Sequence, residues 1–189
     1  MPVVLGLDPG TRHFGWGIVS RVGTRLTHVA HGVLDVERHG ELGPRLVAIE
    51  SGLSAVIEEH HPDQASIESL FFAKDAQAAA KLGHARGVAL LVCARAGLAS
   101  YEYPPARVKK TVAGAGRADK AQVAQMVRVL LGLGGIPRSD AADALAIAVT
   151  HLQGIRLAPT RPIAPGNAPS RAAAARGSTR PSIPGLPPR

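Results

Sequence analysis

The sequence holds a single cysteine, Cys93, so no intramolecular disulfide can form and nothing calls for an oxidising compartment. Cys93 lies in the apolar run Val88–Ala94, where a buried, inert thiol is expected. Aromatic residues are scarce, with three Phe, two Tyr and one Trp among 189 residues, so an exposed one would stand out as a contact residue. No apolar run reaches the roughly 20 residues that span a bilayer, and the longest one stops at Arg95. Met1-Pro2-Val3-Val4 enters a strand-like pattern at once, without the features of a secretory leader. A soluble, cytoplasmic protein that uses no membrane is expected. Acids are missing from the C-terminal end. Six of the 22 basic residues lie after Gly154 (Arg156, Arg161, Arg171, Arg176, Arg180 and Arg189), while all 14 acids lie before it. Most of the net charge of +8 therefore sits on the tail.

Residues 154–189 are rich in Pro, Ala, Gly, Ser and Arg and lack apolar periodicity, which predicts a disordered basic tail. Such a tail suits loose, salt-sensitive contact with nucleic-acid phosphates, or simple solubilisation. Residues 1–153 are enough for one domain with a proper core, without disulfides or a structural metal.

Within that domain, Val3–Asp8 reads as a strand buried on both faces and ended by the turn pair Pro9-Gly10. Phe14–Val19 and Leu26–Val36 follow as strands across short turns, predicting an antiparallel meander. Gly15 and Gly17 mark either a place where a ligand or another backbone comes close or, equally, a packing site beneath a helix. Arg45–His60 has helical apolar spacing, with His60-His61 as a capping pair at its end. Gln64–Glu68 returns to the sheet, Asp75–Ala96 forms a long helix rich in small residues, and Ala99–Tyr103 is a fifth strand. Helices are predicted over Pro105–Ala113, Lys120–Leu131 and Asp140–Leu152. This order, with no internal repeat, gives an α/β fold: a five-stranded mixed sheet covered by helices on both faces.

Four acids are candidates for chemistry. Ser139 is placed to cap the last helix, and Asp140 and Asp143, three apart, project from the same side of its first turn. Read alone, they favour the helix dipole by about 0.3–1 kcal/mol. Asp8 and Glu68 each close a strand, and neighbouring strand ends are where open sheets place ligands. Two such charges about 5 Å apart repel by roughly 3 kcal/mol at an effective dielectric near 20. Gathered together, the four would call for a hard divalent cation with oxygen ligands, Mg²⁺ or Mn²⁺ rather than zinc. Arg107, Lys109, Lys110, Arg117 and Lys120, opposed by Asp119 alone, form either a solvated face or a grip on phosphates. Of the adjacent Phe71 and Phe72 just past Glu68, one exposed ring would suit base stacking, worth about 1–3 kcal/mol.

Leu5-Gly6-Leu7-Asp8-Pro9-Gly10-Thr11-Arg12 with Gly15-Trp16-Gly17, then Ile67–Lys74, Lys81–Gly87 and Asp140–Ala146, together resemble the RuvC family of bacterial Holliday-junction resolvases. The resemblance runs from about Val3 to His151 and leaves the tail uncovered. It implies a ribonuclease H-like fold and a homodimer that cuts opposing strands of a four-way DNA junction during recombination and repair, alongside the branch-migration proteins RuvA and RuvB. It further implies that Asp8, Glu68, Asp140 and Asp143 are catalytic and hold two divalent ions, Mg²⁺ or Mn²⁺. Hydrolysis would leave a 5′ phosphate. Phe71 matches the family's base-stacking position, and Lys74, Lys109 and Lys120 fall among the implied DNA contacts. Two other readings use the same residues: a ribonuclease H-like nuclease acting on RNA or flap DNA, and a junction-binding protein without catalysis. An actin-like ATPase needs two such domains, and the chain has room for one.

Overall fold

The computed structural model describes residues 1–69 and 76–154, together with Ile163. Val3–Asp8 (β1) runs down the middle of the sheet with its four central residues buried. His13–Val22 (β2) and Arg25–Asp35 (β3) continue it as the expected antiparallel meander. Gln64–Glu68 (β4) and Ala99–Tyr103 (β5) join on the other side of β1 as parallel strands. The order is β3-β2-β1-β4-β5, the five-stranded mixed sheet read from the sequence.

Alternation along β1 divides the core into two layers. Val4 packs with Val19 and Tyr103 beneath Pro105–Ala113 (α3), Lys120–Leu131 (α4) and Ser139–Gly154 (α5). Leu5 and Leu7 pack with Phe14 and Ile18 beneath Leu42–His60 (α1) and Ala76–Arg95 (α2). Cys93 is buried in this second layer, and burial pushes its thiol up to about 11, so it is inert as expected. No helix among the described residues is long and apolar enough to cross a membrane.

The glycines of β1 and β2 decide where α5 lies. A Cβ on Gly6 would stand 2.0 Å from the Ala144 carbonyl oxygen, and one on Gly17 would stand 2.7 Å from the Leu145 side chain. Bare backbone at these points lets the helix settle directly on the sheet. Of the two roles open to Gly15 and Gly17, helix packing is the one the fold uses. α5 itself is buried along almost its whole length, from Ala141 to Leu152, apart from Asp143.

Most predicted boundaries hold to within one or two residues, with local exceptions. Ser139 is the first helical residue of α5 rather than its cap; the opening bond runs from the Ala142 N–H to the Arg138 carbonyl. β2 extends to Val22, three residues further than expected, because β3 pairs with it along its full length. His61 caps α1 in the left-handed region (φ 46°) through its backbone N–H to Ile57, whereas the His60 ring lies against Trp16, 5.9 Å between centroids. α4 opens with a capping box in which Asp119 accepts from the Gln122 N–H, and the Gln122 side chain accepts from the Asp119 N–H.

The expected tail falls almost entirely outside the described residues. Gly154 is the last residue of α5, and the Ile163 N–H donates to the Ser100 carbonyl of β5 at 2.9 Å. Phe71, Lys74 and the predicted helix start at Asp75 also lie outside the described residues.

Candidate active site

β1 and β4 are parallel neighbours in register from Val4↔Gln64 to Leu7↔Ile67, so Asp8 and Glu68 emerge side by side at the same sheet end. Across from them, Asp8 pairs with Gly15 and Glu68 with Tyr103. Gly15 carries the first turn of α5: a Cβ there would stand 2.0 Å from the Asp140 carbonyl oxygen. The two helix acids are thus delivered to the strand acids by a close backbone contact, not by side-chain attraction.

A cavity of about 260 Å³ opens at this point. Its polar lining is Asp8, Glu68, Asp143, Lys109 and Lys120. Its apolar lining is Pro105 and Val108 from α3, Val123 from α4 and Ile147 from α5. Each helix contributes residues three or four apart, the spacing of a single face. Asp140 does not line the cavity, but its charge reaches Asp8.

The electrostatics are those of crowded acids. Burial above all, then the charges of Asp143 and Glu68 with a smaller contribution from Asp140, push the Asp8 carboxyl up to about 8, against the pull of Lys120. Burial and Asp143 likewise raise Glu68, with Lys120 and Lys109 opposing. The Lys120 Nζ stands 3.0 Å from Asp143 Oδ2, and that bond raises the lysine in turn. With the Lys120 side chain 75% exposed, this pair sets geometry more than stability.

The sequence pattern predicts four acids packed so tightly that only bound cations would make the arrangement tolerable. The arrangement is looser. Among the described residues no three acids close into a coordination shell around one point, and Lys120 supplies a positive charge between them. The donors nevertheless fit a hard divalent ion. All are carboxylate oxygens, and burial, with neighbouring carboxylates second, raises Asp8 and Glu68 above their ordinary ionisation, a cost that a bound cation would offset.

Of the other predicted cations among the described residues, none lines the cavity. Arg107, Lys110 and Arg117 are exposed, and the Arg107 guanidinium sits over the Tyr103 ring, 5.1 Å from its centroid. Two supporting contacts went unread in the sequence. Arg86 of α2 donates to Glu102 of β5, tying that helix to the last strand of the sheet. Buried His151 of α5 joins Tyr103 and Gln64, each at 2.8 Å. An amide oxygen accepts, so Nε2 carries the proton toward Gln64 and Nδ1 accepts from the Tyr103 hydroxyl. Nothing local in the sequence announces either contact, since each joins residues brought together only by sheet order.

Residues 4–151 match the family model described as crossover junction endodeoxyribonuclease RuvC. The chain belongs to the RuvC family. It is 62% identical over 149 residues to the RuvC crossover junction endodeoxyribonuclease of Sorangium cellulosum, covering 79% of this chain and 83% of that one. It is 51% identical over 148 residues to the corresponding protein of Caulobacter sp. strain K31, covering 78% of this chain and 88% of that one. Among solved structures, that of Thermus thermophilus RuvC in complex with a Holliday junction substrate superposes with a TM-score of 0.81 at 36% identity, covering 86% of this chain and all of that one. Family membership accounts for the ribonuclease H-like architecture, and for the occurrence of the four sequence blocks in unbroken order.

Proposed function

We propose that this chain is a structure-specific endonuclease that resolves four-way DNA junctions in recombination and repair, by paired hydrolysis of opposing strands. The observation that carries the reading is the meeting of Asp8, Glu68 and Asp143 in one cavity with Lys109 and Lys120, within a chain of the RuvC family. Asp8, Glu68, Asp140 and Asp143 are the catalytic acids of this reading. Two divalent cations, Mg²⁺ or Mn²⁺, held by those four would supply an activated water and stabilisation of the departing 3′ oxygen, leaving a 5′ phosphate.

Lys109 and Lys120 hold the scissile strand's phosphates against the acids, and Arg107, Lys110 and Arg117 extend that positive surface along α3 and toward α4. Val108, Val123 and Ile147 narrow the cavity and limit bulk water beside the reacting phosphate. In the family's pattern, Phe71 stacks on a base and Lys74 contacts the backbone.

Paired cutting requires two sites, and the homodimer of this reading finds support on α2. Ala80, His84, Gly87 and Leu91 form one exposed stripe at helical spacing, with Leu91 51% exposed. Among the described residues, no heavy atom outside the local helix backbone lies within 4 Å of a Cβ built on Gly83 or Gly87. In this reading RuvA and RuvB are its branch-migration partners and the work is done in the cytoplasm.

The test is substrate comparison. Synthetic four-way junctions, linear duplexes, flaps and RNA–DNA hybrids are incubated with the full chain and Mg²⁺ at matched salt. Symmetric cutting of the junction alone is expected. Equal cutting of hybrids or flaps would replace this reading with a general ribonuclease H-like nuclease.

A further inference from the structure

β3 stands at one margin of the sheet, and its pairing with β2 breaks once. His31 faces Gly17, Ala30 faces Ile18 and His28 faces Val19, so Val29 is passed over in the register and forms a bulge. In a regular strand, residues three apart point to opposite faces. The bulge cancels that. Gly17 and Val19 share a face of β2, and His31 and His28 therefore share the same face of β3. The extra residue, Val29, is left 44% exposed.

The two imidazoles meet there, nitrogen to nitrogen. His28 Nε2 stands 2.8 Å from His31 Nδ1, with ring centroids 4.9 Å apart and planes tilted by 60°. We propose that His28 and His31 form a two-ligand site for a single Cu²⁺ or Ni²⁺ ion on this edge strand. The inference is independent of the nuclease reading, since neither histidine lines the cavity of the acids.

The separation selects the ion. With metal–nitrogen bonds of about 2.0 Å, two ligands at right angles lie roughly 2.8 Å apart, and two at the tetrahedral angle roughly 3.3 Å. The pair thus fits neighbouring positions of a tetragonal ion, whereas Zn²⁺ would have to spread the rings. Imidazole also suits Cu²⁺ and Ni²⁺ far better than Mg²⁺, which takes oxygen ligands. Without an ion, a proton shared between the rings holds the same distance. With one, each ring keeps its proton on the far nitrogen, and both near nitrogens offer lone pairs. Among the described residues no third His, Cys, Asp or Glu joins them, so the other positions of the ion are filled by water. His28 is half-buried and His31 exposed, which leaves a way in from solvent.

Metal titration of the full chain tests the proposal, after chelator treatment and with Mg²⁺ in excess to occupy the carboxylates. Calorimetry should find one Ni²⁺ bound per chain, with Zn²⁺ bound more weakly. His28→Gln and His31→Gln should each weaken Ni²⁺ roughly tenfold or more, as loss of one of two linked contacts does. His39→Gln, at an exposed histidine outside the pair, should leave the affinity unchanged. A measurement on the unaltered chain stands beside the variants: a small amount of Cu²⁺ should broaden the amide NMR signals of residues 28–31 and of Gly17 and Val19 before all others. Broadening centred elsewhere would overturn the proposal, as would unchanged Ni²⁺ affinity in either variant of the pair. Tighter binding of Zn²⁺ than of Ni²⁺ would also overturn it, because the site would then be tetrahedral.

Discussion

The carbonyl oxygen of Asp140 occupies the space a methyl group on Gly15 would need, 2.0 Å from the ideal Cβ position. The glycine of one strand thereby fixes the height of the helix turn that carries two of the acids. Gly15→Ala should cost about 1–3 kcal/mol, in the range of overpacked cores. It should also lower junction cleavage under conditions where the variant is fully folded, because Asp140 and Asp143 shift from Asp8. Gly43→Ala, at an exposed position of α1 with nothing among the described residues within 4 Å of its Cβ, is the control: cleavage should be unchanged and stability equal or slightly higher, as expected for alanine in a helix. Urea midpoints and single-turnover cleavage of both variants decide it. A Gly15→Ala protein with wild-type stability would show that α5 is not seated this way.

Asp8→Asn separates catalysis from binding. It should abolish cleavage while preserving or tightening junction affinity, since one negative charge near the phosphates disappears. The same change should alter stability in the absence of divalent ions. Asp8 has its carboxyl raised from 3.8 to about 8 in the folded protein. Between those values the folded state binds more protons than the unfolded one, so this group makes stability fall as pH rises. Asp8→Asn should flatten that decline and be more stable than wild type above pH 8. Added Mg²⁺ should stabilise wild type more than the variant. Normal cleavage by Asp8→Asn would remove this residue from the site.

Lys109 and Lys120 line the cavity with the acids, and their charges act on Glu68. If each contacts one phosphate, Lys109→Ala and Lys120→Ala should each reduce the slope of log affinity against log salt by about 0.9. Junction binding measured across a salt series gives this slope directly. An unchanged slope would return the lysine to an ordinary solvated surface. Lys120→Ala also frees Asp143, so its cleavage defect should exceed its binding defect.

The parts of the site that were legible in the sequence are those fixed locally. An acid ending an apolar strand sits at the sheet end whatever else happens, so Asp8 and Glu68 could be placed early. Asp140 and Asp143 follow from helical spacing. Gly15 and Gly17 announced a close approach but not its partner, because only the packed helix reveals whether backbone or ligand arrives. The Lys120–Asp143 contact depends on how α4 leans against α5, which no local pattern encodes. The apolar lining was hidden for a different reason. Val108, Val123 and Ile147 look like any core residues until the cavity shows that each faces it.

His151 offers a prediction that runs opposite to Asp8. Burial, with Arg21 nearby, pushes its imidazole from 6.5 down to about 4, so it stays neutral between Tyr103 and Gln64. The unfolded chain binds the extra proton first. The stability this group contributes is therefore complete above pH 6.5 and drains away as pH falls through about 4. Its slope opposes that of Asp8 over the overlapping range, so a wild-type titration would blur both. In an Asp8→Asn background the histidine's acid sensitivity should stand out, and adding His151→Gln should remove most of it. Urea midpoints from pH 7.5 to 4.5 measure the difference. Equal acid sensitivity with and without His151 would mean that the junction of α5 with β4 and β5 is not held by a neutral imidazole.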